Sequence, residues 1–336
     1  MPSSMKDVAR EAGVSLGTVS NVLNRPDRVS PETRKRVERV IRELHFVPSA
    51  AARSMRVQRS RVLGLIVPDI GNPFFTDVAR GVEDAALEAG FPVILCNSDE
   101  RPDREDRYLE VLESQRVGAI LITPARRTFQ ALGRLINQGV ALALLDNSTA
   151  SKDACSVSVD DIRGGQLAAE HMLSLGHQRI AWLAGPRDIP QVADREAGLF
   201  QALAQSEVDV TSLVCGQMTT ASAEATVDAA LASGLNVTGL VCANDLLALG
   251  AIRSLGKAGL RVPDDVSVIG YDDISFAASA GTPLTSIRQP SYELGHAAAS
   301  LVIAQFDNPE GHAHQQIQFQ PQLVVRESTA PVPATV

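Results

Sequence analysis

The sequence predicts an α/β protein with a small helical head followed by a body of two lobes, each built on a parallel sheet. From about residue 61 onward, short continuous apolar runs alternate with helical stretches in two successive series. The first 58 residues instead contain three short helical patterns. A length of 336 residues is too great for one ordinary core and suits two or three domains.

The charge is unevenly distributed along the chain. Residues 1–60 carry 12 Lys and Arg against 6 Asp and Glu, a net charge of +6, whereas the whole chain carries −8. The remainder is therefore at −14. A basic head on an acidic body is expected when only the head meets a polyanion.

Three helices are predicted in the head. The first covers residues 5–12 and ends at Gly13, the second follows Ser15 as its N-cap, and the third begins with Ser30 and Pro31. Apolar residues repeat at helical spacing in each: Val8, Ala9 and Ala12; Val19, Val22 and Leu23; Val37, Val40, Ile41 and Leu44. Two short helices joined by a tight glycine turn, with a third packed across them, describe a helix-turn-helix.

In a helix-turn-helix, the second helix enters the major groove with its N-terminal residues toward the base edges. Leu16 suits a thymine methyl group, Asn21 suits paired hydrogen bonds to adenine, and Gly17 offers only its backbone. Candidate phosphate contacts are Thr18, Ser20 and Asn24. The alternative is an ordinary amphipathic helix with a polar solvent face; the turn, the caps and the positive charge favour DNA.

Residues 49–57 after Pro48 favour a short helix that is not stable alone in water. Arg53 adds positive charge, and Met55 is a large apolar side chain suited to wedging between base steps in the minor groove. Such a helix would form only on DNA. A flexible interdomain linker is the alternative.

The body begins with the strand-like runs "VLGLIV", "FPVILC", "GAILIT" and "VALALLD", separated by predicted helices at 74–89, 103–116 and 127–138. A second series follows with "RIAWLAG", "SLVCG", "GLVCA" and "VSVIGYD". In an open parallel sheet, ligands bind beyond the carboxyl ends of the strands. Candidate ligand contacts at these ends are Asn72, Phe74, Phe75, Asp146, Asn244 and Asp272. Two further candidates are Arg195, early in a predicted helix of the second lobe, and Gln289, which follows "LTSIR".

Aromatic rings beside amides and carboxylates suit a sugar, whose C–H face stacks on the rings and whose hydroxyls bond the polar groups. Each residue also has a structural alternative: the two phenylalanines as core, Asn244 as a helix cap and Asp272 as a turn residue. Their shared position favours a ligand cleft.

The head "MKDVAREAGVSLGTVSNVLNRPDRVSPETRKRVERVIRELHFVPSAAARSMR" strongly resembles that of the lactose/purine repressor (LacI) family. From "LGLIVPDIGNPFF" to "LVVREST" the body resembles the family's effector domain, which is similar to periplasmic sugar-binding proteins. The resemblance implies that Leu16, Gly17 and Asn21 read bases. It also implies that residues 49–57 are the hinge helix and that the eight candidate ligand contacts bind an effector.

The resemblance further implies the domain organisation, with crossovers between the lobes near 161, 290 and 321. The expected domains are a DNA-binding head with hinge at 1–58 and an effector-binding body at 61–336, with lobe 1 at about 61–161 and 291–320, and lobe 2 at about 162–290 and 321–330. A homodimer is expected, because a palindromic operator pairs two half-sites with two copies of the chain.

The sequence thus predicts a DNA-binding transcriptional regulator, a repressor controlled by a small-molecule effector. A sugar or sugar derivative is the first choice. A nucleobase is the second, because purine-responsive members share the aromatic pair but tend to lack the amides at Asn72 and Asn244. Sugar-responsive members often carry Arg at the position of Asn147.

Two other classes of protein are alternatives. Against an enzyme, the chain has no GxGxxG after a strand, no P-loop, no GxSxG and no HExxH. A solute-binding protein is disfavoured by the DNA-binding head and by an N-terminus without a secretory apolar stretch, so a cytoplasmic location away from membranes is expected. No cofactor is predicted. No metal site is predicted either, because the four cysteines lack CxxC spacing and "HAH" at 312–314 is typical of a solvated turn.

Overall fold

The computed structural model describes residues 4–24, 28–44, 46, 60–125, 130–147 and 154–332. The chain divides into two compact units, a head at Met1–Ser60 and a body at Arg61–Val336. The predicted hinge helix, with Arg53 and Met55, lies outside the described residues, as does the side chain of Asn24.

The three predicted head helices are confirmed as α1 (Met5–Glu11), α2 (Leu16–Asn24) and α3 (Pro31–Glu43). Ser4 and Asp7 form a reciprocal capping box at the start of α1. Ser15 Oγ accepts from the backbone N–H of Thr18 at 3.1 Å, and Ser30 caps α3. The caps therefore fix where each helix begins.

The apolar faces of these helices form one small core. Its fully or nearly fully buried members are Val8, Ala9, Ala12, Val19, Val22, Val37, Val40 and Phe46. Gly13 joins α1 to α2 at a φ of +62°, a left-handed conformation that glycine adopts without steric cost. The helix-turn-helix is thus held by packing from all three helices.

The body alternates strands and helices along its length. In chain order its elements are β1 (Ser60–Val67), α4 (Pro73–Glu88), β2 (Val93–Asn97), α5 (Pro102–Ser114), β3 (Val117–Ile122), α6 (Gln130–Asn137), β4 (Ala141–Leu145), β5 (Cys155–Val159), α7 (Asp161–Ser174), β6 (Arg179–Ala184), α8 (Pro190–Leu203), β7 (Asp209–Val214), α9 (Thr220–Ala232), β8 (Gly239–Cys242), α10 (Asp245–Lys257), β9 (Ser267–Asp272), a 3₁₀ turn (Ala277–Ser279), β10 (Thr285–Arg288), α11 (Ser291–Asp307), β11 (Gln316–Phe319) and β12 (Gln322–Val324).

These strands form two six-stranded sheets. Sheet 1 has the order β11-β5-β4-β3-β1-β2, and sheet 2 has the order β12-β10-β9-β8-β6-β7. We call each sheet with its covering helices lobe 1 and lobe 2. Buried apolar residues dominate both lobes. Among the described residues, no helix is long and apolar enough to cross a membrane.

The two predicted parallel sheets are confirmed, with one exception in sheet 2: β12 pairs with β10 in the antiparallel direction. Only residues 320–321 separate β12 from β11 in lobe 1. The chain leaves the carboxyl edge of sheet 1 and enters sheet 2 directly from that sheet's own carboxyl edge. Strand β12 is therefore antiparallel to β10, the strand beside it.

The chain passes between the lobes at 160, at 289–290 and at 320–321. The passage at 160 leads into α7, which packs on α8 in lobe 2. The passage at 289–290 leads into α11, which packs on α4 in lobe 1. Helices α7 and α8 approach closely at two glycines. A Cβ at Gly165 would overlap the carbonyl of Arg195, and one at Gly198 would overlap the carbonyl of Ile162.

Candidate functional site

The N-terminal turn of α2 presents little bulk. Leu16 is 44% exposed and Gly17 is exposed, whereas Ser20 and Asn21 are half-buried. The Thr18 hydroxyl lies 3.0 Å from the Ser15 hydroxyl, so it helps to cap the helix. An exposed apolar side chain beside a bare backbone suits close approach to base edges.

A cavity of about 340 Å³ lies where the carboxyl ends of the two sheets face one another. Its volume is at the lower end of the range of small-molecule sites. Seven of the eight predicted ligand contacts line it: Asn72, Phe74, Phe75, Asp146, Arg195, Asn244 and Asp272. Gln289 does not line it, but lies behind Asp272 and donates to that carboxylate.

Asn72 performs two tasks at the lobe 1 wall. Its Oδ1 accepts from the backbone N–H of Phe74 at 3.0 Å and so caps α4. Its Nδ2 donates to Asp272 Oδ2 of lobe 2 at 3.2 Å. Phe74 and Phe75 follow as an edge-to-face pair with ring centroids 4.9 Å apart. The predicted aromatic and amide groups therefore meet at one wall of the cavity.

Asp146 directly follows β4 with a φ of +49°, in the left-handed region that Asp adopts more readily than most residues. Gln191 of lobe 2 donates to its backbone carbonyl and to its Oδ2. Asp146 Oδ1 and Thr123 Oγ1 are buried without a hydrogen-bond partner among the described residues, and both residues line the cavity. Buried polar atoms are nearly always partnered, so a ligand is the natural partner for these two.

Burial raises the pKa of Asp146 well above its ordinary value, and the negative charge of Asp161 adds to the effect. The cavity therefore holds a carboxyl group that is both desolvated and short of one partner. Such a group gains from a hydroxyl or amine donor of a ligand.

Arg195 is fixed by lobe 2. Its Nε donates to Asp161 Oδ1 at 2.7 Å, and its Nη1 donates to the Ala243 carbonyl at 2.7 Å. The guanidinium carbon lies 3.7 Å from the Tyr271 ring centroid, and the Tyr271 hydroxyl donates to Asp161 Oδ1 at 2.9 Å. Burial acts to lower the pKa of Arg195, but the attraction of Asp161 and its neighbours outweighs it and raises the pKa.

Asp272 is the carboxylate on which both lobes converge. It accepts from Gln289 Nε2 at 2.7 Å and from Asn72 Nδ2 at 3.2 Å, and Arg195 Nη1 lies 3.8 Å away. Burial raises its pKa to about 6, although Arg195 and the two amides oppose that shift. A ligand entering the cavity competes directly for a contact that joins the lobes.

Asn244 caps α10 through Oδ1, which accepts from the backbone N–H of Leu247 at 2.8 Å. Its Nδ2 contacts the Met218 carbonyl only at 3.4 Å, so the amide is available at the cavity wall. The capping alternative and the ligand alternative are therefore compatible for this residue. Asp245 is structural, since it is fully buried and accepts from Ser286 Oγ and the backbone N–H of Ile274.

Sequence reasoning missed a group of acids around the cavity. Asp69, Asp99, Glu100 and Asp188 also line it, and Arg195 is the only Lys or Arg among the described lining residues. Burial and the charges of the three aspartates raise the pKa of Glu100 to about 7. Asp99 and Glu100 follow the end of β2, so the strand-end rule could have found them.

Three further residues matter through their contacts, and of these Gln191 in α8 lies away from any strand end. Gln191, Asp161 and Tyr271 contribute through contacts that only the folded chain reveals. Thr123 follows directly after β3 and was available to the strand-end rule.

Comparison with known proteins matches both units. The family model described as bacterial regulatory proteins, lacI family, matches residues 4–49, and a periplasmic binding protein-like domain matches residues 169–329. The chain is 33% identical over 336 residues to the HTH-type transcriptional regulator DegA of Bacillus subtilis (strain 168), covering 99% of each.

Solved structures are similar as well. A LacI family transcriptional regulator from Enterococcus faecium with bound ribose is 33% identical with a TM-score of 0.75, over 81% of this chain and 99% of that one. The lac repressor dimer bound to operator and the anti-inducer ONPF is 28% identical with a TM-score of 0.84, over 98% of this chain and 100% of that one.

A helix-turn-helix head and a body with a ligand-sized cavity between two lobes define a ligand-responsive DNA-binding regulator. The chain belongs to the LacI family of transcriptional regulators, as the full-length match to DegA and the family model of the head establish.

Proposed function

We propose that this protein is a cytoplasmic repressor that binds a palindromic operator as a homodimer and is released or recruited by a sugar bound between its lobes. The observation that carries the proposal is the cavity at the facing carboxyl edges, whose walls come from both lobes and meet through Asn72 and Asp272. In this proposal the head at 1–58 reads DNA. The body at 61–336 reads the effector.

The sugar is the effector that the lining groups fit best. The two unpartnered oxygens of Asp146 and Thr123 accept or exchange hydrogen bonds with hydroxyls, and the amides of Asn72 and Asn244 add donors. Six acidic residues and one basic residue among the described lining residues disfavour an anionic ligand such as a sugar phosphate. The similar Enterococcus faecium regulator holds ribose.

The dimer is supported by an exposed apolar edge in lobe 1. Strand β2 ends sheet 1, and its Ile94 and Leu95 are 40% and 47% exposed, close in sequence to Leu87, which is 74% exposed. Apolar side chains on an open strand edge favour association with another chain. A second copy of this chain is the partner that a palindromic operator requires.

The effector acts by changing the relation of the lobes. Three passages at 160, 289–290 and 320–321 connect them, and the Asn72–Asp272 hydrogen bond bridges them. A ligand that bonds both walls binds one lobe arrangement more tightly than another. It alters operator affinity only by that difference, typically about 1–3 kcal/mol.

The function is tested by a thermal-shift screen of the full chain with ribose, cellobiose, adenine and ribose 5-phosphate. A neutral sugar should raise the unfolding midpoint, and ribose 5-phosphate should not. Genomic fragments bound by the protein then supply the operator for titrations with and without the sugar. A shift with adenine alone would transfer the proposal to a nucleobase, and the absence of sequence-specific DNA binding would overturn it.

A further inference from the structure

Lobe 1 carries a cluster of three metal-ligating side chains remote from the ligand cavity. Cys155 begins β5, at the amino edge of sheet 1, whereas the cavity lies at the carboxyl edge. His312 and His314 lie in the segment between α11 and β11. Strand β11 pairs in parallel with β5, with Gln316 opposite Ser156, so this register brings the two histidines beside the cysteine.

The three ligand atoms have the spacing of a tetrahedral site. Cys155 Sγ lies 3.1 Å from His312 Nε2 and 3.7 Å from His314 Nδ1, and all three atoms lie within 4.8 Å of one another. Zn–S bonds of about 2.3 Å and Zn–N bonds of about 2.0 Å at tetrahedral angles place ligand atoms about 3.3–3.6 Å apart. A metal ion therefore fits after small shifts of the side chains.

Burial raises the pKa of the Cys155 thiol, and one backbone donor partly offsets that effect. The backbone N–H of Gln315 donates to Cys155 Sγ at 3.4 Å, and hydrogen bonds of this kind orient and stabilise the atoms that hold a metal. Cys155 is fully buried, His312 is half-buried and His314 is exposed. One side of the cluster is therefore open to solvent.

We propose that Cys155, His312 and His314 bind a Zn²⁺ ion, with water in the fourth position. One thiolate and two imidazoles form the mixed sulfur and nitrogen donor set that Zn²⁺ accepts. The thiol releases its proton to solvent as the Zn–S bond forms, and each neutral imidazole donates a lone pair. The ion ties the segment before β11 to β5 and so stabilises lobe 1 just ahead of the third passage between the lobes.

The site was not predictable from the sequence, because 157 residues separate Cys155 from His312. "HAH" alone is typical of a solvated turn, and the chain has no CxxC pair. The pairing of β11 with β5 places Cys155 beside the two histidines and so supplies the third ligand. The alternative is a simple thiol–imidazole hydrogen bond, which needs no metal.

Co²⁺ binding to the untagged full chain tests the site, because a thiolate–Co²⁺ bond gives a near-ultraviolet charge-transfer band and tetrahedral Co²⁺ gives strong visible bands. Wild-type protein should bind one equivalent with both signals, and Zn²⁺ should displace the Co²⁺. Cys155→Ser should lose the charge-transfer band, whereas Cys96→Ser, at another buried thiol of lobe 1, should keep it. No band in the wild type, or a band retained in Cys155→Ser, would overturn the proposal.

A second measurement protects the test from folding defects. His314 is exposed, so His314→Ala should fold like the wild type. Micromolar Zn²⁺ should raise the unfolding midpoint of the wild type, because an ion that binds only the folded chain stabilises it. The midpoint of His314→Ala should stay unchanged or rise far less. Equal rises in both proteins, or no rise in either, would leave the cluster as a hydrogen-bonded trio without a metal.

Discussion

Arg195 combines a structural task with its place at the cavity wall. Its guanidinium is buried and is occupied by Asp161, the Ala243 carbonyl and the Tyr271 ring. Among the described residues, removing it leaves the buried Asp161 carboxylate with the Tyr271 hydroxyl as its one side-chain partner. Asp272 differs, because two amide donors hold it independently of Arg195.

Arg195→Ala should therefore lower the free energy of unfolding by about 3–5 kcal/mol, the usual cost of leaving one partner of a buried ion pair. Asp272→Asn keeps the size of the side chain and should cost only about 1–2 kcal/mol. Urea denaturation of both variants measures the two values. The reverse ranking would mean that Arg195 contributes less to the stability of lobe 2 than Asp272 does.

Asn21→Ala in α2 should weaken binding to the best operator by about 1–3 kcal/mol and relax the preference at one base pair in each half-site. The reason is that an amide makes paired hydrogen bonds to a single base, whereas the methyl group makes none. Binding to a randomised operator library measures both effects. Equal losses on operator and random DNA would assign Asn21 to positioning the protein on the backbone.

Glu100→Gln should change the pH dependence of stability. The folded chain holds the Glu100 proton up to about pH 7, whereas the unfolded chain releases it near the ordinary value of 4.5. A raised pKa of an acid makes the wild type lose stability as pH rises between those values, and the loss persists above pH 7.

The variant should therefore gain about 1–2 kcal/mol over the wild type between pH 5 and 7.5, with no gain at pH 4. Both proteins contain the same histidines and Asp272. Taking the difference in stability between them at each pH therefore cancels the contribution of those groups to the pH dependence. Chemical denaturation at four pH values gives the difference. A gain that does not vary with pH would show that Glu100 does not titrate in this range.

At the scale of the elements, β5 is not among the strand-like runs recognised in the sequence, and its omission has a physical explanation. Strand β5 reads "CSVSV", an alternation typical of a half-exposed strand, yet all five residues are buried. Its serines lie inside sheet 1 between β4 and β11, where the neighbouring strand β11 comes from the far end of the chain. The local pattern could not reveal this burial, because it depends on a distant segment.

The contact between α7 and α8 sets the position of Arg195, and Gly198 makes that contact possible. Gly198→Ala should lower the free energy of unfolding by about 1–3 kcal/mol, because its Cβ overlaps the Ile162 carbonyl. A Cβ added at Gly256 in α10 would have no neighbour within 4 Å, so Gly256→Ala should instead stabilise by about 0.5–1 kcal/mol. Thermal and urea unfolding of both variants decide; destabilisation of equal size in both would contradict the close-contact argument.

At the scale of the whole molecule, the lobed body followed from the alternation of strands and helices, and six of the cavity's residues followed from one rule about strand ends. The rule works because parallel strands deliver their carboxyl ends to one edge whatever their order. Other features depend on how the two sheets face each other. They are the clustering of acids from both walls, the contacts of Arg195 and the position of Gln289 behind Asp272. A pattern within single elements does not contain that information.

The proposed dimer edge yields a prediction of its own. Leu95→Lys in β2 should weaken dimerisation at least tenfold, because a charge replaces an apolar side chain at the proposed interface. Val325→Lys in lobe 2, where the side chain is 58% exposed, serves as the matched control and should leave the dimer intact. Sedimentation velocity measures both; unchanged association of Leu95→Lys would move the interface to another surface.

We propose that a ligand between the lobes controls operator affinity. The most direct test is a titration of fluorescent operator with the wild type and Asp272→Ala, with and without the sugar that raises the thermal midpoint. The wild type should change operator affinity by about 5–150-fold when the sugar is present, and Asp272→Ala should show the same affinity in both conditions. A full response in Asp272→Ala, or no response in a wild type that binds the sugar, would contradict the account.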